Sequence, residues 1–392
     1  MTGNVADRRS GPLSGVRIIE LSGIGPGPFA GMMLADMGAE VIRVDRASGG
    51  SMLSATEPRL DVLGRGKSSI AVDLKNPEGV AVVLDLIAGA DGVFEGYRPG
   101  VAERLGLGPD VCLARNPALA YGRMTGWGQT GPLAPAAGHD IDYISISGAL
   151  AAIGREGQPP TPPLNLVGDF GGGGAFLAYG MVCAILAARV SGKGQVVDAA
   201  MVDGASILMA PFVAMRATGM WSPERGTNML DSGAPFYDAY RTSDGRYLAV
   251  GAIEPQFYAL LLEGLGLAGA DLPGQMDRAR WPELKARFAE VIAGRTRDDW
   301  ESVFSGTDAC VAPVLEPDEV PTHPHMKARD SFVEISGLTQ PRPAPRFSVT
   351  SPSVPHEAPA NGGDSRRLLA ELGYDDARVS ALLQNGAVSE SS

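Results

Sequence analysis

His139 stands in AGHDIDYISISG (137–148), between a glycine and an aspartate and just ahead of an apolar run. The chain holds four histidines, and the other three, His323, His325 and His356, lie in proline-rich stretches. Imidazole titrates near neutrality, so one well-placed histidine suits proton transfer. It is equally the kind of residue that marks a helix boundary. Asp169, in VGDFGGGG, poses the same choice between acid–base chemistry and a helix N-cap. Gly171 to Gly174 cost up to about 1 kcal/mol each in a helix relative to alanine. Their presence calls for either a ligand close to the backbone or tight helix packing. Asp140 and Asp142 fit the first turn of a helix as caps. The His323-Pro324-His325 run has no third ligand at metal spacing and reads as surface loop.

A second group of residues points to a phosphorylated ligand. SGIGPGPFAGMM (22–33) resembles a dinucleotide loop, but that fingerprint requires glycines at 23, 25 and 28, and position 28 is proline. Pro26 and Pro28 also remove N–H donors that a pyrophosphate would use. Arg46 beside Asp45 makes that carboxylate a poor ribose ligand. Cations instead gather at the strand ends: Arg43 and Arg46, Arg65 and Lys67, Arg98 and Arg104. Arginine grips phosphate oxygens in bidentate fashion, and strand C-terminal ends form the ligand crevice of an open α/β sheet. Solvated surface charge is the competing explanation for any one of them.

These residues need elements to hold them. GVRIIELSG (15–23) and EVIRVD (40–45) read as strands around a helix at 29–39, and SSIAVDL (68–74), GVFEGY (92–97) and ALAYGRMTG (118–126) as further strands. A capped helix at 76–90 lies among them. Such alternation predicts an α/β fold with a parallel sheet. An apolar helix is expected at 168–190, with 195–215 continuing the core. Beyond about residue 220 the character changes. Two alternating runs around Asp244-Gly245 predict a hairpin. Two helices follow, the second opened by a Thr296–Asp299 capping box. The domain reading is a large domain from 11–220, a small α+β domain from 230–325 and a C-terminal segment, 335–392, returning to the large domain. TQPRPAPRFSVTSPSVPHEAPA should run extended over the surface.

Composition narrows the function. Hydrophobic residues make up 44% and charged residues 20%, the balance of a soluble globular protein. The net charge of −12 argues against nucleic acid as a partner. No apolar run is read as approaching a membrane span, and the N-terminus lacks a signal-peptide core. Cys112, Cys183 and Cys310 lie far apart, suiting structural thiols in a reducing compartment. The expectation is a cytoplasmic enzyme.

The motifs then converge on one family. LSGIGPGPFAGMMLADMGAEVIRVDR, GRGKSSIAVDLKNPEG, GHDIDYISISGAL, PPLNLVGDFGGGG, SGKGQVVDAAMVDG, NMLDSGAPFYDAYRTSDGRYLAVGAIEPQFY and GTDACVAPVL resemble, in order and spacing, the α-methylacyl-CoA racemases of the family III CoA-transferase superfamily. The resemblance spans about residues 11 to 350. It implies a Rossmann-like large domain with a smaller α+β domain, in an interlocked homodimer. It also implies an acyl-CoA substrate, coenzyme A being part of the substrate and no cofactor being required.

By the same resemblance His139 and Asp169 are the acid–base pair, with Glu254 as partner of His139 across the dimer and Asn165 as partner of Asp169. Arg46 would hold the phosphorylated adenosine. Ala71, Val72, Asp73, Leu74 and Lys75 would surround the adenine. Gly96, Tyr97, Arg98 and Arg104 would line the nucleotide crevice, and Gly138, Asp140, Ile141, Asp142 and Tyr143 with His139 the pantetheine and thioester. The family pattern GHDINY has asparagine where this chain has Asp142, an extra carboxylate expected to raise the His139 pKa. A CoA-transferase of the same superfamily, using Asp169 as nucleophile, is the main alternative. A non-catalytic CoA-binding protein is the second.

Overall fold

A computed structural model describes residues 9–48 and 57–391. The chain forms two compact units. The larger holds residues up to 147, 164–208 and 324 onward, and the smaller 148–163 and 209–323. The smaller unit thus also takes in 148–163 and 209–229, beyond the 230–325 span read from composition.

In the larger unit six parallel strands follow one another: β1 (Arg17–Leu21), β2 (Glu40–Arg46), β3 (Ser68–Val72), β4 (Gly92–Glu95), β5 (Ala120–Thr125) and β6 (Gln195–Ala200). Their spatial order is β3-β2-β1-β4-β5-β6, and Val388–Ser389 adds an antiparallel strand outside β3. This is the Rossmann order, with its switch point between β1 and β4. Neighbouring residues in each strand face opposite layers. Ile18 and Val41 join the helices Pro26–Asp36 and Ala175–Ser191, whereas Ile19 and Ile42 join Pro77–Ala88 and the C-terminal helices. Asn76 caps Pro77–Ala88 by accepting from the Glu78 N–H.

The expected helix at 168–190 begins earlier and differently. Leu166–Gly174 is π-helical, with the Phe170 N–H donating to Asn165 O, and it runs into the α-helix Ala175–Ser191. Together they form one helical run, Leu166–Ser191, of 26 residues, apolar enough by length and composition to cross a membrane. By length and composition alone this run reaches a membrane span, where no apolar run was expected to. About 44% of its most apolar window is buried within the protein, and buried core helices meet the same criterion. The continuation at 195–215 is also less buried than expected: Val196 is 43% exposed and Ala210–Ala217 buries no residue.

The smaller unit is α+β. The hairpin Tyr237–Arg241 and Tyr247–Gly251 turns at Asp244-Gly245, Gly245 having φ +80°, and Val311–Pro313 pairs with its second strand. Helices Pro255–Gly264, Trp281–Ile292 and Arg297–Phe304 cover it, with Phe236, Trp281, Phe288 and Trp300 in the core. Thr296 and Asp299 form the expected capping box.

Candidate active site

The loops leaving β1, β4 and β5 enclose a crevice of about 470 Å³ at the switch point. Gly23–Gly27, Gly96–Pro99 and Gly126–Trp127 supply its walls, and His139, Tyr143 and Asp169 border it. The two residues singled out for proton chemistry therefore share one crevice with Gly96, Tyr97, Arg98 and Gly138.

His139 is the N-cap of the helix Asp140–Ile146 and its residue is exposed. Its backbone N–H donates to Asp142 Oδ2 at 2.9 Å. Asp142 thus acts on the His139 backbone as a cap. Tyr143 sits edge-on to Trp127, with ring centroids 4.8 Å apart, and its hydroxyl donates to Gly138 O. Burial pushes that hydroxyl up to about 12, with help from the nearby Asp169 charge.

Asp169 lies inside the first turn of the π-helical segment, rather than ahead of a helix. Its Oδ2 accepts from Asn165 Nδ2 at 3.0 Å, and its backbone N–H donates to Asp140 Oδ1 at 2.7 Å. Burial raises the Asp169 carboxyl above its ordinary range. Asn165 pulls it down, Asp140 adds to the rise and His139 opposes it. Burial thus outweighs the Asn165 hydrogen bond and the His139 charge. Gly25 has φ +70°, and a Cβ there would lie in ordinary contact, 3.5 Å, with Asp169 Oδ2.

Gly172 to Gly174 are accounted for by packing. A Cβ on Gly172 would lie 2.5 Å from Ala205 N, on Gly173 2.8 Å from Met201 Cγ, and on Gly174 2.6 Å from Pro26 O.

The cations divide. Arg43 binds Asp45 and Asp61, Arg65 binds Asp36, and Lys67 reaches Glu20 at 2.6 Å with both side chains fully buried. These three are structural ion pairs, which corrects their expected place in a phosphate site. Arg46, Arg98 and Arg104 are exposed and form no ion pair among the described residues. Arg46 lies close enough to Tyr97 to lower its hydroxyl pKa, although burial wins and raises it. Ala71 and Val72 are buried inside the sheet, paired to β2 on one side and to Val388–Ser389 on the other. Only Asp73, Leu74 and the exposed Lys75 form the outward part of that stretch. Ile141 is 45% exposed. Glu254 belongs to the smaller unit, exposed at the N-cap of Pro255–Gly264.

Trp127, Met124, Met201 and the β1 loop complete the crevice and were missed in the sequence. The loop's glycines were the available signal, once weighed as a close approach rather than a dinucleotide fingerprint. Residues 13–365 match the family described as CoA-transferase family III. The chain belongs to that family.

Within CoA-transferase family III the chain is 48% identical over 370 residues to the mouse protein named alpha-methylacyl-CoA racemase, covering 94% of this chain and 95% of the relative. It is 47% identical to the human protein of the same name over 367 residues, 92% and 94% of the two chains. Among solved structures, a CaiB/BaiF family protein from Brucella suis superposes with a TM-score of 0.80 at 27% identity, over 93% of this chain and all of the other. The large parallel sheet with a smaller α+β unit is thus the fold of this family.

Proposed function

We propose that this protein interconverts (2R)- and (2S)-2-methylacyl-CoA thioesters by proton transfer at the α-carbon. The observation that carries this is the pairing of His139 with a burial-raised Asp169 on one crevice at the sheet's switch point. The α-carbon is a weak acid. A gap of roughly a dozen pKa units to a neutral base amounts to about 16 kcal/mol. One group removes the α-proton, and the electron pair left behind moves into the thioester carbonyl as an enolate. The other group delivers a proton to the opposite face, restoring the carbonyl with inverted configuration. A carboxyl with raised pKa is better able to hold that proton near neutral pH. Coenzyme A enters as part of the substrate, with Arg46, Arg98 and Arg104 facing its phosphates, and no cofactor is needed for a 1,1-proton transfer.

We further propose a homodimer of the interlocked kind. Its support is an apolar stripe on Ala175–Ser191: Tyr179 is 69% exposed, Leu186 63% and Val190 84%, at helical spacing.

The test is α-proton exchange. A single epimer of a 2-methylacyl-CoA is incubated with the protein in D₂O without acceptor acid, and the α-position is followed by NMR. Deuterium incorporation with loss of stereochemical purity supports the racemase. His139→Ala and Asp169→Ala should then each cut exchange from one epimer by about 10²–10⁴-fold. Absence of exchange, with CoA passing to an added carboxylate, would instead identify a transferase using Asp169 as nucleophile.

A further inference from the structure

Asp140 was expected along the pantetheine, yet the residue is only 7% exposed. One carboxylate oxygen, Oδ1, accepts the Asp169 backbone N–H at 2.7 Å. The other, Oδ2, is buried with no hydrogen-bond partner among the described residues. A buried acceptor left unpaired is a burden on stability that calls for an explanation. Gly168 makes the arrangement possible, since a Cβ there would lie 2.4 Å from Asp140 Oδ1. Asparagine or serine could have accepted the same N–H without placing a charge indoors.

We infer that Asp140 is a positioning residue for Asp169. Its carboxylate ties down the π-helical turn that carries Asp169 and sets a second negative charge beside the Asp169 carboxyl, rather than binding coenzyme A. This rests on the proposed racemase chemistry. The surroundings of Asp169 leave Asp140 as its nearby like charge. Asn165, on its own segment, is a neutral donor, and His139 and Tyr143 are the other titratable neighbours, both from the Asp140–Ile146 region. The Met201–Leu208 helix meets the segment through Met201, Gly204 and Ala205, and the Pro26–Asp36 helix through Pro26 and Phe29. Tying the Asp169 N–H fixes where the carboxyl sits, and the neighbouring charge favours its protonated form.

Asp140→Asn separates the two effects, because the amide oxygen still accepts the Asp169 N–H while the charge is gone. Asp140→Ala removes both. Two readouts are taken on the full chain. The first is the ¹³C titration of the Asp169 carboxyl, assigned by its loss in Asp169→Asn. The second is the pH dependence of α-proton exchange. In Asp140→Asn the Asp169 carboxyl should titrate at lower pH than in the parent, the corresponding limb of the exchange profile should move the same way, and the melting temperature should not fall. In Asp140→Ala, kcat should drop about 10²-fold with KM for the thioester little changed. An Asp169 titration unmoved in Asp140→Asn would overturn the inference. So would an Asp140→Ala variant that raises KM at constant kcat, which would return Asp140 to coenzyme A binding. If the parent shows no exchange, the racemase proposal fails, and the ¹³C titration still decides whether Asp140 acts on Asp169.

Discussion

At the scale of single residues, both candidate groups, His139 and Asp169, have their backbone N–H held by a neighbouring carboxylate. Asp142 holds the His139 N–H, so Asp142→Ala should cost about 0.5–1 kcal/mol in denaturant unfolding. On the proposed mechanism it should also slow exchange at the face assigned to His139. Glu95, at the end of β4, accepts from the Tyr97 N–H at 2.6 Å and from Arg123 Nε at 3.0 Å. Burial outweighs both and pushes its carboxyl up to about 7. The folded protein therefore keeps a proton that the unfolded chain, near 4.5, gives up. The stability Glu95 contributes is complete below about pH 4.5 and is lost as pH rises through about 7, a swing on the order of 3 kcal/mol. Urea melts of the parent and Glu95→Gln at pH 5 and pH 8 measure it, and the parent should lose ground to the variant at the higher pH. Equal differences at both values would show that Glu95 ionises normally.

At the scale of elements, the π-helical turn is the unusual component. Its wider turn carries Asp169 and lets Gly172 meet Gly204 backbone to backbone. A Cβ on Gly204 would fall 1.8 Å from Gly172 O. Gly204→Ala should therefore destabilise by about 1–3 kcal/mol or prevent folding, whereas Gly192→Ala, which has open space around it but φ +71°, should have a smaller effect. Thermal melts of the two variants make the comparison. The strands β1 to β5, the Asn76 cap, the Asp244-Gly245 hairpin and the Thr296 capping box were legible because each is written in adjacent residues. The π-turn was not, because its widening answers to the Pro26–Asp36 and Met201–Leu208 helices packed on it.

At the scale of the whole molecule, strand order decides where chemistry can occur. Reversal of the strand order between the parallel neighbours β1 and β4 opens the crevice, and three separate loops converge there. The sheet is stabilised from within by Lys67, just ahead of β3, and Glu20 on the central strand β1, so Lys67→Met should leave a buried carboxylate unpaired and destabilise by about 3–5 kcal/mol. Replacing both residues with apolar ones should recover much of the loss. The proposed dimer predicts that Leu186→Asp, on the exposed stripe, shifts sedimentation towards the monomer. An unchanged sedimentation profile would remove this face from the interface.

Residue types and their order determined the α/β class, because strand alternation, caps and turns are local, and carried the family resemblance, which singled out His139 and Asp169 as candidates. Tertiary structure alone decided which charges are available. Arg43, Arg65 and Lys67 looked like ligand contacts and proved to be internal ion pairs, since their carboxylate partners come from elsewhere in the chain. It also decided that Asp169 is raised rather than lowered, and that Asp140 faces Asp169. Burial and contacts between residues distant in sequence set both, and neither is written in any single stretch of residues.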